Sequence, residues 1–200
     1  MLPDQRPDLR KQLRLKRRDI PSHIQRKSAK DLLLHCRRWP DFHQARTVAF
    51  YLPIQGEISP LPLMHLAHAL GKACYLPRIR PFPAGSLVFV RWRPGSRLYR
   101  QRWHIREPRH GGRREARGLD LVFMPLTGFD RQGHRLGMGG GFYDRTLAKL
   151  PQRPLRVGLA HDSQQVASIP VCPWDINLHA VVTPSGRTSF RAGASRRIPL

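Results

Sequence analysis

Short apolar stretches of strand length alternate with helix-forming segments along most of the chain, and this alternation restricts the fold more than any other feature. The stretches are rich in β-branched and aromatic residues and have no polar face, which is typical of strands covered on both sides. They begin at Thr47, Ala73, Leu87, Leu119, Leu155 and His179. Because buried strands and helices alternate, we predict an α/β fold around a mostly parallel sheet.

Composition and spacing predict four helices, over residues 6–18, 21–39, 58–70 and 143–150. The first is basic and consists almost entirely of helix formers, with Leu9, Leu13 and either Lys16 or Arg17 along one stripe. Pro21 suits the first position of the second helix, and Pro40 ends it. Two helices therefore precede the first predicted strand.

A length of 200 residues suits a single domain. We predict one domain over residues 1–184, made of basic helices within 6–39 and an α/β core over 47–184. Residues 185–200 are rich in Gly, Ser and Arg and are expected to form a flexible basic tail. Residues 106–118 are expected to form a long surface loop.

The chain has no apolar run long enough to span a bilayer, and it begins MLPDQRPDLRKQ, which has no apolar signal region. Its cysteines, Cys36, Cys74 and Cys172, are few and widely spaced and form no C-x-x-C pair. We therefore expect a soluble, cytoplasmic protein that does not act at a membrane.

The formal net charge of +23 is unusual and admits two interpretations. Arginines interleaved with Trp92, Tyr99 and Trp103 could stack with bases, as in a basic RNA-binding module. Alternatively, they decorate a solvated surface. We favour the solvated surface and expect no obligate nucleic acid, because no known nucleic-acid-binding signature accompanies the charge.

The loop GMGGG, with Gly137 and Gly139 to Gly141, lies directly before a predicted helix. Its backbone amides can approach an anion without obstruction by a Cβ atom, and the helix terminus adds a favourable dipole, which suits phosphate. The loop matches neither the P-loop nor the G-x-G-x-x-G fingerprint. The glycines alone equally allow a flexible hairpin.

The residues that flank the glycines favour a phosphate site. Arg135 can form a bidentate pair with phosphate oxygens, and the Asp144 carboxylate could hold a Mg²⁺ shared with a nucleotide. Taken alone, Asp144 is better explained as a charge that stabilises the first helical turn. Asp130 has the same two explanations, and we favour a role in stabilising the turn at Gly128.

The block PLTGFDRQGHRLGMGGGFYDRTL closely resembles the signature of 5-formyltetrahydrofolate cyclo-ligases. The resemblance continues through YLPIQGEI, ACYLPRI, WHIREP, VGLAHD and IPVCPWDINLHAVVT, and covers roughly residues 6–183 in the expected order. It implies a three-layer α/β/α fold of the kind shared with ribose-phosphate isomerases and CoA transferases.

The same resemblance implies an enzyme that takes a reduced folate and ATP, with Mg²⁺. The formyl oxygen of 5-formyltetrahydrofolate would attack the γ-phosphate, N10 would close the ring to the 5,10-methenyl form, and ADP and phosphate would be released. Such chemistry depends on positioning and charge stabilisation and needs no covalent side-chain nucleophile. We expect a monomer that binds only small molecules.

The resemblance also implies roles for individual residues. ATP would contact Arg6, Arg10, Arg135, Leu136, Gly137, Met138, Gly139, Gly140, Gly141, Phe142 and Tyr143. The folate would contact Leu52, Glu57, Met138, Gly139, Gly140, Gly141 and Phe142. Asp144 and Asp175 would hold Mg²⁺, and Arg135 and Asp144 would be catalytic. Arg6 stands where the family has a lysine and keeps its charge. A helix N-terminal charge before Ile58 is the alternative role for Glu57, and Trp103 is expected either beside the folate or in the core.

Overall fold

The computed structural model describes residues 5–81, 85–100, 106–150 and 152–190. Its helices are α1 (Arg6–Arg18), α2 (Ser22–Arg37), α3 (Pro40–Gln44), α4 (Leu61–Ala69) and α5 (Phe142–Leu147), with 3-10 turns at Ala116–Gly118 and Asp162–Gln164. Its strands are β1 (Thr47–Ala49), β2 (Ala73–Ile79), β3 (Leu87–Arg91), β4 (Leu98–Arg100), β5 (Arg106–Pro108), β6 (Arg113–Arg114), β7 (Leu121–Pro125), β8 (Gly128–Phe129), β9 (Arg135–Leu136), β10 (Leu155–Leu159), β11 (Ala180–Thr183) and β12 (Gly186–Ser189). Within these ranges, no helix combines the length and the apolar character that crossing a membrane requires.

Eight strands form one sheet in the order β12-β11-β10-β7-β1-β2-β3-β6. The strands from β11 to β2 in this order are parallel to one another, whereas β12, β3 and β6 join antiparallel. The predicted α/β fold with a mostly parallel sheet is confirmed. The carboxyl ends of β1, β7 and β10 therefore meet at one edge of the sheet, where ligands commonly bind in such folds.

Alternating side chains of the central strands pack into two separate hydrophobic cores, one on each face of the sheet. Val48 lies in the cluster that contains Leu32 of α2 and Leu63 of α4, and Ala49 lies in the cluster that contains Leu147 of α5. Helices thus cover both faces, as in a three-layer arrangement, although α5 and the turn at Ala116–Gly118 make the second outer layer thin.

The basic helix α1 has the predicted bounds and packs outside both main cores. Its Leu13 is buried against Leu136 and Ile169 in a small third cluster. Since these partners lie in the loops that follow β7 and β10, α1 is held against the carboxyl edge of the sheet.

The helix predicted over 58–70 begins later, at Leu61. Pro60 disfavours the helical conformation for the residue before it, and both Pro60 and Pro62 suit the first turn of a helix. Glu57 therefore lies in a loop, and the interpretation of Glu57 as a helix N-terminal charge is wrong.

Two predicted loops contain strands. Within the expected surface loop 106–118, β5 pairs with β4, and β6 pairs with β3 at the edge of the sheet. Within the expected tail 185–200, β12 pairs with β11. All three strands are short. β6 and β12 are largely exposed, and β5 buries a charged residue, Glu107, so none of them carries an apolar pattern that the sequence could reveal. The rest of the expected tail, residues 191–200, lies outside the described residues.

Candidate active site

Three loops meet at the carboxyl edge of the sheet. They comprise residues 50–60 after β1, residues 126–141 after β7, and residues 160–179 after β10. The second loop contains the hairpin of β8 and β9, and α1 lies across all three. Among the described residues, every residue predicted to contact ATP, folate or Mg²⁺ lies in these loops, in α1 or in α5.

A buried carboxylate fixes the hairpin that precedes the glycines. Asp130 accepts hydrogen bonds from the backbone amides of Gln132, His134 and Ile169, at 3.0, 3.0 and 3.1 Å, and from the His134 ring at 2.8 Å. Asp130 thus stabilises the hairpin turn, in agreement with its predicted structural role.

The glycine loop runs from Gly137 to Gly141 and leads directly into α5. Gly139 has a φ of +105° with open space around its Cα, and Gly141 has a φ of +62° at the N-cap of α5. Residues that have a side chain rarely adopt such backbone angles, so this loop conformation requires glycine. The path leaves the loop uncovered on the side where a ligand would approach Gly139.

Arg135 and Asp144 are brought together beside this loop. The Nη2 atom of the buried Arg135 donates a 2.7 Å hydrogen bond to Asp144 Oδ1, and its guanidinium lies 5.9 Å from the centroid of the Tyr143 ring. The buried Arg135 Nε and Tyr143 hydroxyl have no hydrogen-bond partner in the described part of the chain. Unsatisfied buried polar atoms are uncommon, and here they lie at the predicted ligand site.

The two arginines predicted on α1 reach different parts of the site. Arg10 Nε donates to the Gly137 carbonyl at 2.9 Å. Arg6 forms a bidentate pair with Asp175, with N–O distances of 3.0 and 3.2 Å. Burial lowers the pKa of Arg6, but its hydrogen bond and charge interaction with Asp175 leave that pKa above its ordinary value. The structure therefore places Arg10 at the glycine loop and Arg6 at the predicted metal site.

The predicted metal ligands Asp144 and Asp175 are neighbours. The Ile176 amide, next in the chain to Asp175, donates to Asp144 Oδ1 at 3.3 Å, and Asp175 Oδ2 accepts from the Cys172 amide at 2.8 Å. Paired carboxylates fit Mg²⁺, which needs few protein ligands when phosphate oxygens supply others. No group of three or more His, Cys, Asp or Glu side chains with metal-binding geometry occurs among the described residues.

Glu57, predicted to bind the folate, is almost completely buried in a tight turn. Its Oε2 accepts from the Ile54 amide at 3.1 Å, and its Oε1 lies 3.7 Å from Arg17 Nη1. Burial raises the pKa of Glu57 to about 7, although Arg17 and the Ile54 amide act in the opposite direction. A substantial fraction of this carboxyl is thus protonated near neutral pH.

Other predicted contact residues occupy the same corner in different ways. Met138 Sδ accepts from the Thr127 hydroxyl at 3.5 Å, and Phe142 lies beneath the Arg145 guanidinium. The Leu52 side chain is buried in the main core, and the Leu136 side chain is fully buried against α1. Trp103 lies outside the described residues.

Arg17 also lies at this site, although the sequence analysis gave it no role in binding or catalysis. It is completely buried, and its partners lie in the loops after β1 and β7. The spacing of Arg6, Arg10, Leu13 and Arg17 follows i, i+4, i+7, i+11, which places them on one face of a helix. That arginine-bearing face, rather than the leucines alone, was the available signal.

Comparison with known proteins identifies relatives that align with most of the chain. The model of the 5-formyltetrahydrofolate cyclo-ligase family matches residues 3–184. A 5-formyltetrahydrofolate cyclo-ligase from Escherichia coli (strain K12) is 41% identical over 176 residues, which cover 86% of this chain and 97% of the relative. The Haemophilus influenzae protein of the same name is 33% identical over 180 residues, which cover 88% and 96% of the two chains.

Solved structures give the same result. A 5,10-methenyltetrahydrofolate synthetase from Aquifex aeolicus superposes with a TM-score of 0.83 at 29% identity and covers 97% of each chain. A synthetase from Mycoplasma pneumoniae shares the fold, with a TM-score of 0.73 at 20% identity, over 90% of this chain and 98% of its own. None of these matches supports the alternative of an RNA-binding module.

Proposed function

This chain belongs to the 5-formyltetrahydrofolate cyclo-ligase family, and on that basis we propose that it converts 5-formyltetrahydrofolate and ATP to 5,10-methenyltetrahydrofolate with release of ADP and phosphate. One observation carries the assignment of the site. An uncovered glycine loop, the Arg135–Asp144 pair, the Arg6–Asp175 pair and the buried Glu57 meet at one edge of the sheet. Groups that suit a phosphate and groups that suit a pterin are therefore adjacent.

The nucleotide phosphates bind along the glycine loop in this proposal. The loop amides and the N-terminus of α5 can approach phosphate oxygens closely, and Arg135 and Arg10 supply positive charge at the two ends of the loop. Arg6 joins them through its place beside Asp175. Leu136 contributes by packing, since its side chain is buried against α1.

We propose that Asp144 and Asp175 hold Mg²⁺, because they are neighbouring carboxylates beside the glycine loop. When bound, the ion would neutralise charge on the phosphate oxygens. Arg135 forms an ion pair with Asp144, and Arg6 forms one with Asp175. Both arginines are then available to turn toward phosphate when the carboxylates take another partner.

The folate is proposed to lie between the Glu57 turn and residues 138–142. An ionised Glu57 can accept hydrogen bonds from the amino group and ring nitrogen of a pterin. The Tyr143 hydroxyl, buried and without a partner in the described part of the chain, is available to a ligand at the same place. Phe142 supplies apolar surface beside the glycine loop, and Leu52 contributes through its packing in the main core.

Catalysis in this proposal is a matter of alignment. The formyl oxygen attacks the γ-phosphate, ADP leaves, N10 adds to the activated formyl carbon, and phosphate departs as the ring closes. Arg135 stabilises the charge of the transferred phosphoryl group. The thiols of Cys36 and Cys74 take no part, since burial raises their pKa values to about 12 and about 11.

We further propose that the protein acts in the cytoplasm as a monomer and takes only small-molecule substrates. The free, buried thiols of Cys36 and Cys74 suit a reducing compartment. The elution volume of the purified chain in size-exclusion chromatography, combined with light scattering, tests the monomer directly.

The assay incubates the purified chain with 5-formyltetrahydrofolate, ATP and MgCl₂ and follows the absorbance of the methenyl product and the release of ADP. Equal amounts of the two products are expected, with no product when ATP is omitted. A folded chain that forms no methenyl product under these conditions overturns the proposal.

A further inference from the structure

The last turn of α1 contains a fully buried guanidinium. Arg17 has no exposed surface, and the exposed residues Lys16 and Arg18 flank it. Burial of a charged side chain is unfavourable unless hydrogen bonds and an opposite charge compensate for it. The groups that compensate for the buried charge therefore indicate the role of Arg17.

Its partners come from separate loops of the site. Arg17 Nε donates to the Gln55 carbonyl at 3.0 Å, and Nη1 donates to the Leu126 carbonyl at 3.2 Å. Nη2 lies 4.0 Å from Met138 Sδ in the glycine loop. One side chain thus contacts the Glu57 turn, the residue after β7 and the glycine loop.

The backbone of Arg17 is equally close to the Glu57 turn. Gly56 has a φ of +77°, and a Cβ atom at this position would lie 2.8 Å from the Arg17 carbonyl oxygen. The neighbouring Gln55 also has a positive φ, of 49°. The turn that presents Glu57 is therefore seated directly on the end of α1, in a backbone conformation that few residues adopt.

Charge links Arg17 to the carboxylate as well. Arg17 Nη1 lies 3.7 Å from Glu57 Oε1, and both side chains are removed from water. The other groups that face Glu57 are the Tyr51 hydroxyl at the end of β1, the Tyr143 hydroxyl on α5 and the Ile54 amide. Arg17 is the cation among these groups, so it favours the ionised carboxylate.

We propose that Arg17 is a positioning residue for folate recognition: its charge favours the ionised form of Glu57, and its hydrogen bonds fix the Glu57 turn relative to the glycine loop. Arg17 contacts neither substrate in this assignment. The inference rests on the proposed function, because it assumes that Glu57 receives the pterin. It implies that α1, whose Arg6 and Arg10 are assigned to ATP, also supports the folate site.

Steady-state kinetics of R17M and R17K test the assignment, with R18M as a matched control on the exposed side of the same turn. R17M is expected to raise KM for the folate by about tenfold or more and KM for ATP by no more than about twofold. It should also move the acid limb of kcat/KM for the folate to higher pH, because Glu57 loses its cation. R17K keeps the charge and should leave that limb in place while it raises KM for the folate severalfold.

The R18M control should match the wild type in each of these measurements. A folded R17M with a wild-type KM for the folate and an unmoved acid limb overturns the proposal, as do equal increases in both KM values with an unmoved limb. If R17M does not fold, R17K decides, and a wild-type KM for the folate in R17K counts against the positioning role.

Failure of the proposed function is distinguished by a titration that needs no turnover. The ¹³C resonance of the Glu57 carboxyl, assigned by its loss in E57Q, reports the pKa in the unliganded chain. A higher pKa of Glu57 in R17M than in R18M supports the electrostatic link even if no methenyl product forms. An identical pKa in two folded variants overturns it.

Discussion

Arg135 and Asp144, which we propose to bind phosphate and metal respectively, are bound to each other by a 2.7 Å hydrogen bond. The contact joins β9 to α5 across the glycine loop. Each side chain is thus held in place by the group that it would have to share or release when a ligand binds.

Removal of the carboxylate separates these roles. We expect D144A to reduce kcat by about 100-fold or more, since the phosphoryl group loses its proposed metal-binding partner. ATP binding without Mg²⁺ should be at least as tight as in the wild type, because Arg135 is freed. Steady-state assays measure the loss of kcat, and calorimetric titrations with ATP, in the presence and absence of Mg²⁺, measure the affinity. D31A, which removes a carboxylate on α2, is the control. Wild-type turnover in D144A would contradict the metal assignment.

Loss of the guanidinium should affect the chemical step more than folding. R135M is expected to reduce kcat/KM for ATP by about 100-fold or more, as removal of a preorganised charge does at other phosphoryl-transfer sites. R131M, on the exposed tip of the same hairpin, should retain wild-type kinetics. A loss of similar size in both variants would point to damage to the hairpin rather than to a role in catalysis.

The strained glycine positions allow a test of ligand binding apart from stability. Gly139 and Gly71 both have positive φ, at +105° and +76°, and neither would place a Cβ near another atom. G139A and G71A should each lose roughly 1 kcal/mol in the free energy of unfolding. Only G139A is expected to weaken ATP binding. Equal ATP affinities in the two variants would exclude Gly139 from the nucleotide site.

Glu57 makes the stability of the chain depend on pH in a defined direction. Its pKa rises from an ordinary value of 4.5 to about 7 on folding, so the folded state binds a proton that the unfolded state has lost. The Glu57 contribution is therefore complete below about pH 4.5 and is lost as the pH rises to about 7. We expect a change on the order of 2 kcal/mol over this range.

Urea unfolding of the wild type and of E57Q across this pH range measures that change. The difference between the two proteins isolates Glu57 from the other titrating groups. The advantage of E57Q over the wild type should grow toward neutral pH. A difference that stays constant between pH 4.5 and pH 7 would contradict a raised pKa.

The final strand should matter for stability. Truncation after Pro184 removes β12, exposes the edge of β11 and removes Phe190, which packs against Gly133 in the hairpin turn. Truncation after Phe190 keeps all of these contacts. Only the shorter protein is expected to show a melting temperature several degrees lower, about 4 °C or more. Equal melting temperatures would show that β12 adds nothing to the fold.

The central strands could be predicted because they are buried on both faces, which leaves a continuous apolar run in the sequence. β12 and β6 could not, since strands such as Gly186–Ser189 lie at the edge of the sheet and are largely exposed. The start of α4 was predicted too early because apolar residues extend back to Ile58 in the sequence. Pro60 and Pro62 set the actual boundary.

The site shows the same division. Arg135 and Asp144 lie close in sequence to the glycines, so their proximity could be anticipated. Arg17 and Glu57 are far apart in the sequence and meet only because α1 packs on the loop after β1. Nothing in a basic helix reveals which of its arginines is buried. The resemblance to a family predicted a role for Glu57, but only the packing of α1 on the loops showed that Arg17 lies beside it.

The two ion pairs at the proposed metal corner, Arg135–Asp144 and Arg6–Asp175, make that corner electrically self-balanced. An anion that arrives alone would draw the arginines away and leave two carboxylates without counter-charge. A cation that arrives alone would do the reverse. An anion and a cation that arrive together re-pair every charged group, so ligand entry becomes an exchange of partners in which metal and nucleotide bind cooperatively.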